Sequence, residues 1–460
     1  MLPGARRVGI ARALLATLLA GAFGVWAAAP VTAQMHQPDA TLHDAQAELR
    51  SAARDTAGHG SDPARLDSLG VALLRLVREN DARTIFTRVT AIDSTDAAAH
   101  AGLGRLALVH GRLAEAESLF TRSLARERDP AVVHDLFVTH LRQHDYAAAA
   151  ALAEEAGEPG RADALRSAAE TPPYTIAAGP DEVRIPFAVM YPVPCIRVKL
   201  NGNSVLLAID SGARDLVLDS RAAGASSVQA SNTESAIDWM GRRFAVNDAV
   251  VRTLEIGAMR IEHLPAGLTP LRSFGLQLNL HSEPVIGVIG IELLRAFTPT
   301  IDYPRMTLVL RRPGVAWSAG AGAKRVPFEV WGEHALMVPG TVNGGRRTML
   351  QVHSGIPECG FAAPTEVFTE AGLKSGAVSR TVKGATAWFP GFKSARVNVP
   401  GITAGDVISQ QVAGWAMECG PDPLWRYGMR SDGYLSHDFF RPWRVTFDWS
   451  GQALVFEPKR

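Results

Sequence analysis

The sequence predicts a multidomain chain in which an α-helical repeat domain is followed by an all-β domain made of two copies of one lobe. Three observations predict it. Alanine and phenylalanine recur every 34 residues in the first half of the chain. Near residue 187 the apolar spacing changes from helical to alternating, with Asn-Gly turn signals. Two stretches of the second half then superimpose turn for turn. The 460 residues are enough to bury two or three cores.

At the N-terminus, Arg6, Arg7 and Arg12 precede an apolar stretch from Ala13 to Ala29 and the small residues of Val31-Thr32-Ala33. This pattern predicts a signal peptide over residues 1–33, cleaved ahead of Gln34, and hence an exported protein of the periplasm or cell exterior. An uncleaved signal anchor is the alternative, and no other segment is apolar enough to span a bilayer. The first cysteine is Cys195, which excludes a lipid-modified cysteine at the cleavage site. Lys and Arg total 47 against 46 Asp and Glu, a net charge of +1, so attraction to nucleic acid or an anionic membrane is not expected.

Residues 34–63 are polar and alanine-rich without sustained periodicity and are expected to be flexible. Residues 64–169 are rich in Ala, Leu, Arg and Glu at helical spacing. Ala82, Ala116 and Ala150 keep the 34-residue interval, as do Phe86 and Phe120. The best copy runs Ala99-His100-Ala101-Gly102-Leu103-Gly104, then His110-Gly111-Arg112, Ala116, Phe120 and Pro130. It resembles the tetratricopeptide repeat. Gly104 and Ala116 suit close helix pairing, Gly111 suits the turn, and Pro130 closes the unit. Two or three such units imply a short concave face for a protein partner.

Residues 170–186, with Thr171-Pro172-Pro173 and Gly179-Pro180, are expected to be a linker. Lobe one is expected over 187–313, a second linker over 314–323, and lobe two over 324–460. In lobe one, Ile196–Leu200 leads through Asn201-Gly202-Asn203 into Val205–Ile209 and Asp210-Ser211-Gly212-Ala213. In lobe two, Leu336–Val342 leads through Asn343-Gly344-Gly345 into Met349–Val352 and His353-Ser354-Gly355-Ile356. Later, Ile289-Gly290-Ile291 and Leu293-Leu294 match Leu435-Ser436-His437 and Phe439-Phe440. Asp210 and Asp302 are 92 residues apart, and His353 and Asp448 are 95 apart.

From Phe187 to Pro458 this unit resembles the retropepsin-like, pepsin-type aspartic proteases, in which each lobe supplies an Asp-Thr/Ser-Gly-Ala turn and an apolar-apolar-Gly segment crossing beneath it. The resemblance implies a bilobal β fold, a polypeptide substrate or ligand, no cofactor, and Asp210 as a catalytic residue. Ser211, Gly212, Ala213 and Gly290 would support it in lobe one, and Ser354 and Gly355 in lobe two. Two close carboxylates share one proton, so such a pair can deprotonate water and protonate the peptide oxygen. Here His353 stands in the second aspartate position and Ser436 in that of Gly290. A His beside Asp210 favours an ion pair instead. Three readings therefore stay open: an endopeptidase using an Asp210-activated water with His353 as acid, an inactive peptide-binding pseudoprotease, and, ranked last because lobe two already fills the partner position, a dyad of two Asp210 copies in a homodimer. Trp239-Met240-Gly241 is the candidate for a hairpin covering the cleft.

Asp302 and Asp448 sit at strand ends before turns and are expected to be structural. Ser436-His437-Asp438 are adjacent and cannot converge as a hydrolase triad, and there is no Gly-x-Ser-x-Gly elbow. Cys195, Cys359 and Cys419 form no C-x-x-C pair, and no His pair has helical ligand spacing, so no metal site is expected. In an oxidising compartment Cys359 could pair with Cys419, leaving Cys195 as a buried strand residue.

Overall fold

A computed structural model describes residues 42–57, 60–237, 243–271, 279–280, 283–376, 394–418 and 422–459. The expected signal peptide lies outside them. Helices α1 (Leu42–Ala57), α2 (Pro63–Arg75), α3 (Glu79–Ile92), α4 (Ala97–Val109), α5 (Leu113–Leu124), α6 (Pro130–Arg142), α7 (Tyr146–Glu155) and α8 (Pro159–Glu170) form the N-terminal array. Asp62, Asp96 and Asp129 cap α2, α4 and α6 by accepting from the amides of Ala64, Ala99 and Ala131, which satisfies donors that a helix start leaves open. The 34-residue interval is a packing interval. Ala82, Ala116 and Ala150 are buried on α3, α5 and α7, and a Cβ on Gly104 would lie 2.6 Å from the Phe120 ring. Residues 42–57, expected to be flexible, are instead helical. Ala45, Ala52 and Thr56 bury one face of α1, and Glu48 pairs with Arg75 of α2. A stripe of small residues made that face hard to see in the sequence.

The lobes repeat one topology. In lobe one, strands Cys195–Leu200 and Asn203–Ile209 form a hairpin whose turn residues Asn201 and Gly202 have φ of 48° and 89°, as a tight primed turn requires. In lobe two, Ala335–Val342 and Thr348–Val352 are joined through Asn343 and Gly344 at 50° and 68°. A later strand is then inserted beside each hairpin. Glu283–Ile289 runs parallel to Asn203–Ile209 and antiparallel to Leu216–Asp219. Tyr434–Leu435 runs parallel to Thr348–Val352 and antiparallel to Phe361–Pro364. Val285 to Ile289 are buried throughout, as suits a strand covered on both faces.

A six-stranded sheet joins the lobes in the order Lys324–Pro327, Ala453–Pro458, Trp443–Asp448, Thr298–Asp302, Thr307–Arg311 and Glu182–Pro186. At its centre Thr300 faces Thr446, their hydroxyls 2.8 Å apart. The expected linker 170–186 is thus largely structural. Glu182–Pro186 pairs with Thr307–Arg311 in this sheet, and Thr175–Ala178 pairs with Met259–Thr269 in lobe one. The Pro and Gly residues punctuate these short strands, and Val183 and Ile185 are buried in the main core. The helical array docks on lobe two: Leu66, Leu73, Phe86 and Leu106 share a core with Trp331, Met337 and Met349. Arg142 of α6 donates to the Val330 carbonyl at 3.2 Å.

Candidate active site

The two predicted turns meet where the lobes face one another. Asn203–Ile209 ends in Asp210, whose amide donates to the Ile289 carbonyl, and Thr348–Val352 ends in His353, whose amide donates to the Leu435 carbonyl. The crossing segment thus holds each turn from below in the same way. His353 Nδ1 lies 2.9 Å from Asp210 Oδ1, with the side chains 6% and 16% exposed. The Gly212 amide donates to the same carboxylate oxygen at 2.8 Å. This close approach depends on two glycines in mirror positions. A Cβ on Gly212 would collide with the His353 ring, and one on Gly355 with the Asp210 carboxylate.

Ser211 and Ser354 tie the turns together. The Ser211 amide donates to Ser354 Oγ and the Ser354 amide to Ser211 Oγ, each at 3.0 Å. Ser354 Oγ then donates to the Ile209 carbonyl at 3.1 Å, and Ser211 Oγ to the Val352 carbonyl at 3.3 Å. Both serines are buried. The Ala213 carbonyl accepts from the Ile291 amide at 2.8 Å, linking the turn to the residue after Gly290. At Gly290 a side chain would collide with the Arg214 and Asp215 carbonyls. Its counterpart Ser436 has room, and its hydroxyl sits 2.9 Å from the His353 carbonyl and 2.5 Å from that of Ile356. The change from Gly to Ser therefore braces the turn that carries His353.

Burial pushes the Asp210 carboxyl upward. The charge and hydrogen bond of His353, with the Gly212 and Gly355 amides, outweigh this and hold it below the usual aspartate range. The arrangement sets an imidazole beside a carboxylate where the resemblance expects two carboxylates sharing a proton.

Trp239 and Gly241 lie outside the described residues, although the flanking strands Ala230–Ile237 and Arg243–Ile256 pair antiparallel. Asp302 and Asp448 accept from the amides of Arg305 and Gly451 in the turns that follow them. Ser436 points at turn carbonyls and not at His437, which fits the exclusion of a triad. Cys195 and Cys359 are buried and have no disulfide partner among the described residues; Cys419, the expected partner of Cys359, lies outside them. Tyr434 was not singled out in the sequence, yet its ring stands edge-on to His353 with centroids 5.8 Å apart. Extending the lobe alignment one residue back from Leu435 would have paired it with Val288 and marked it as a departure.

Other features near the site concern its reverse side. Arg214 and Asp215, directly after the turn, line a cavity of about 420 Å³ shared with Arg142, Tyr146 and Glu292. Burial raises the Asp215 carboxyl to about 6 despite Arg214 and a hydrogen bond from Tyr174. Among the described residues, no helix is long and apolar enough to cross a membrane.

Residues 78–136, spanning α3 to α6, match the tetratricopeptide repeat family. The structure is similar to an aspartic proteinase from Irpex lacteus, at 12% identity and a TM-score of 0.38, over 60% of this chain and 97% of that one. It is also similar to a retropepsin-like aspartic protease from Rickettsia conorii, at 16% identity and a TM-score of 0.21, over 30% of this chain and 94% of that one. No curated protein matches the sequence. A helical repeat region, which the family match covers in part, precedes a two-lobed β region.

Proposed function

We propose that this protein is an exported aspartic-type endopeptidase whose catalytic pair is Asp210 and His353. The 2.9 Å contact between them, on turns braced reciprocally from both lobes, carries the reading. Asp210, ionised by its surroundings, is the base that takes a proton from the attacking water. The proton held between Asp210 and His353 is the one available to the carbonyl oxygen as the tetrahedral intermediate forms. Its collapse breaks the C–N bond as the amine takes up the proton that Asp210 removed from water, while the hydroxyl proton of the intermediate returns to the pair. An extended polypeptide is the substrate class, because strand edges beside the turns can pair with a peptide backbone. The N-terminal Arg-rich and apolar pattern supports export, and the repeats support a protein partner.

A second reading is favoured by the contact itself. Asp210 already receives His353 and the Gly212 and Gly355 amides, so the pair satisfies itself without a water. The protein would then bind polypeptides without cutting them. Incubation with a denatured protein separates the two. The peptidase reading expects cleavage by the wild type and none by a folded Asp210→Asn variant, and undiminished cleavage by that variant overturns it. The binding reading expects no wild-type cleavage and its appearance in His353→Asp.

A further inference from the structure

A second cluster of reactive side chains lies away from the active pair, where the repeats meet lobe two. Glu79 opens α3, His110 ends α4, and Glu329 lies on the strand Glu329–Trp331. One ligand atom from each lies within 4.8 Å of the other two, and all three residues are half-buried. His110 Nε2 is 2.8 Å from Glu79 Oε2, while Glu79 Oε1 is buried without a hydrogen-bond partner.

We infer that Glu79, His110 and Glu329 bind a divalent metal ion of the zinc class and clamp the repeat array to lobe two. An imidazole and two carboxylates are a ligand set zinc accepts, with a fourth position left for water. Two carboxylates brought together at a partly buried interface need a proton or a cation between them, and the imidazole ligand favours zinc over calcium or magnesium. The Trp331 indole donates to Glu329 Oε2 at 2.6 Å and so orients that carboxylate, as partners of metal ligands do. Arg83 and Arg347 also act on these carboxylates and are the competing neutralisers. The ligands come from two segments of the repeats and one of lobe two, which explains why no spacing motif announced them.

The test is zinc titration of the full chain after chelator treatment, read by calorimetry and thermal melting. One equivalent is expected to bind and to raise the melting temperature. Glu329→Gln and His110→Gln should each weaken binding at least ~10-fold and abolish the rise, whereas Asp210→Asn should retain both. If one variant does not fold, the other decides. Absence of zinc binding by the wild type, unchanged binding in the folded variants, or loss of binding in Asp210→Asn alone would each overturn the inference.

Discussion

Ser211 and Ser354 exchange hydrogen bonds across the lobe boundary, each amide donating to the other's hydroxyl at 3.0 Å. The exchange places Asp210 and His353 one residue away on either side. Replacing either serine with alanine leaves a buried amide unsatisfied, at about 1–3 kcal/mol. Once one serine is gone the turns can part, so the double variant should cost at least ~0.5 kcal/mol less than the sum. Denaturant unfolding of the four proteins checks this, and simple additivity would mean that the two serines act independently.

Gly212 and Gly355 protect the pair by lacking side chains. Gly212→Ala drives a methyl group into the His353 ring, and Gly355→Ala drives one into the Asp210 carboxylate. Each should destabilise the protein by about 1–3 kcal/mol through overpacking and reduce peptide cleavage more than tenfold. Retention of activity in both would show that the pair does not need its observed spacing.

The pH dependence follows from the Asp210 carboxyl, which is depressed by His353 and two amides. A depressed carboxyl adds stability above its unfolded value of about 3.9, and this is lost as pH falls through the lower folded value. The stability gap between wild type and Asp210→Asn should therefore be present at neutral pH and shrink below about pH 4. Unfolding series at pH 3 to 7 would reveal it, and a constant gap would count against the ion pair. His353→Asp should move any activity profile toward acid, because two carboxylates share a proton only there.

Arg161 links the repeats to lobe two. Its side chain is buried, its guanidinium lies 3.9 Å over the Phe137 ring, and it pairs with Glu158 and Glu333. Arg161→Ala leaves Glu333 paired with Arg214 and removes the stack. A loss of about 3 kcal/mol is expected, with earlier protease cutting between the array and the lobes. Unchanged melting and cutting would show that the apolar contact with Trp331 and Met337 suffices for docking.

Much of this architecture was legible in residue order because it depends on local periodicity. The 34-residue interval marks helices whose buried Ala and Phe must recur in step. The Asn-Gly turns, and the apolar strands ahead of Asp210 and His353, mark a topology used twice. Helix α1 and the strands at Thr175–Ala178 and Glu182–Pro186 were not legible. Their small or punctuated sequences become regular only when a neighbouring element buries them.

Residue order alone shows that Asp210 and His353 occupy equivalent turns, since a duplicated chain carries its own alignment. That they touch, that Ser436 braces the histidine turn, and that Glu79, His110 and Glu329 converge are consequences of the folded arrangement. Those relationships join residues far apart in the chain. Their distances depend on how strands and helices pack, which no local pattern encodes.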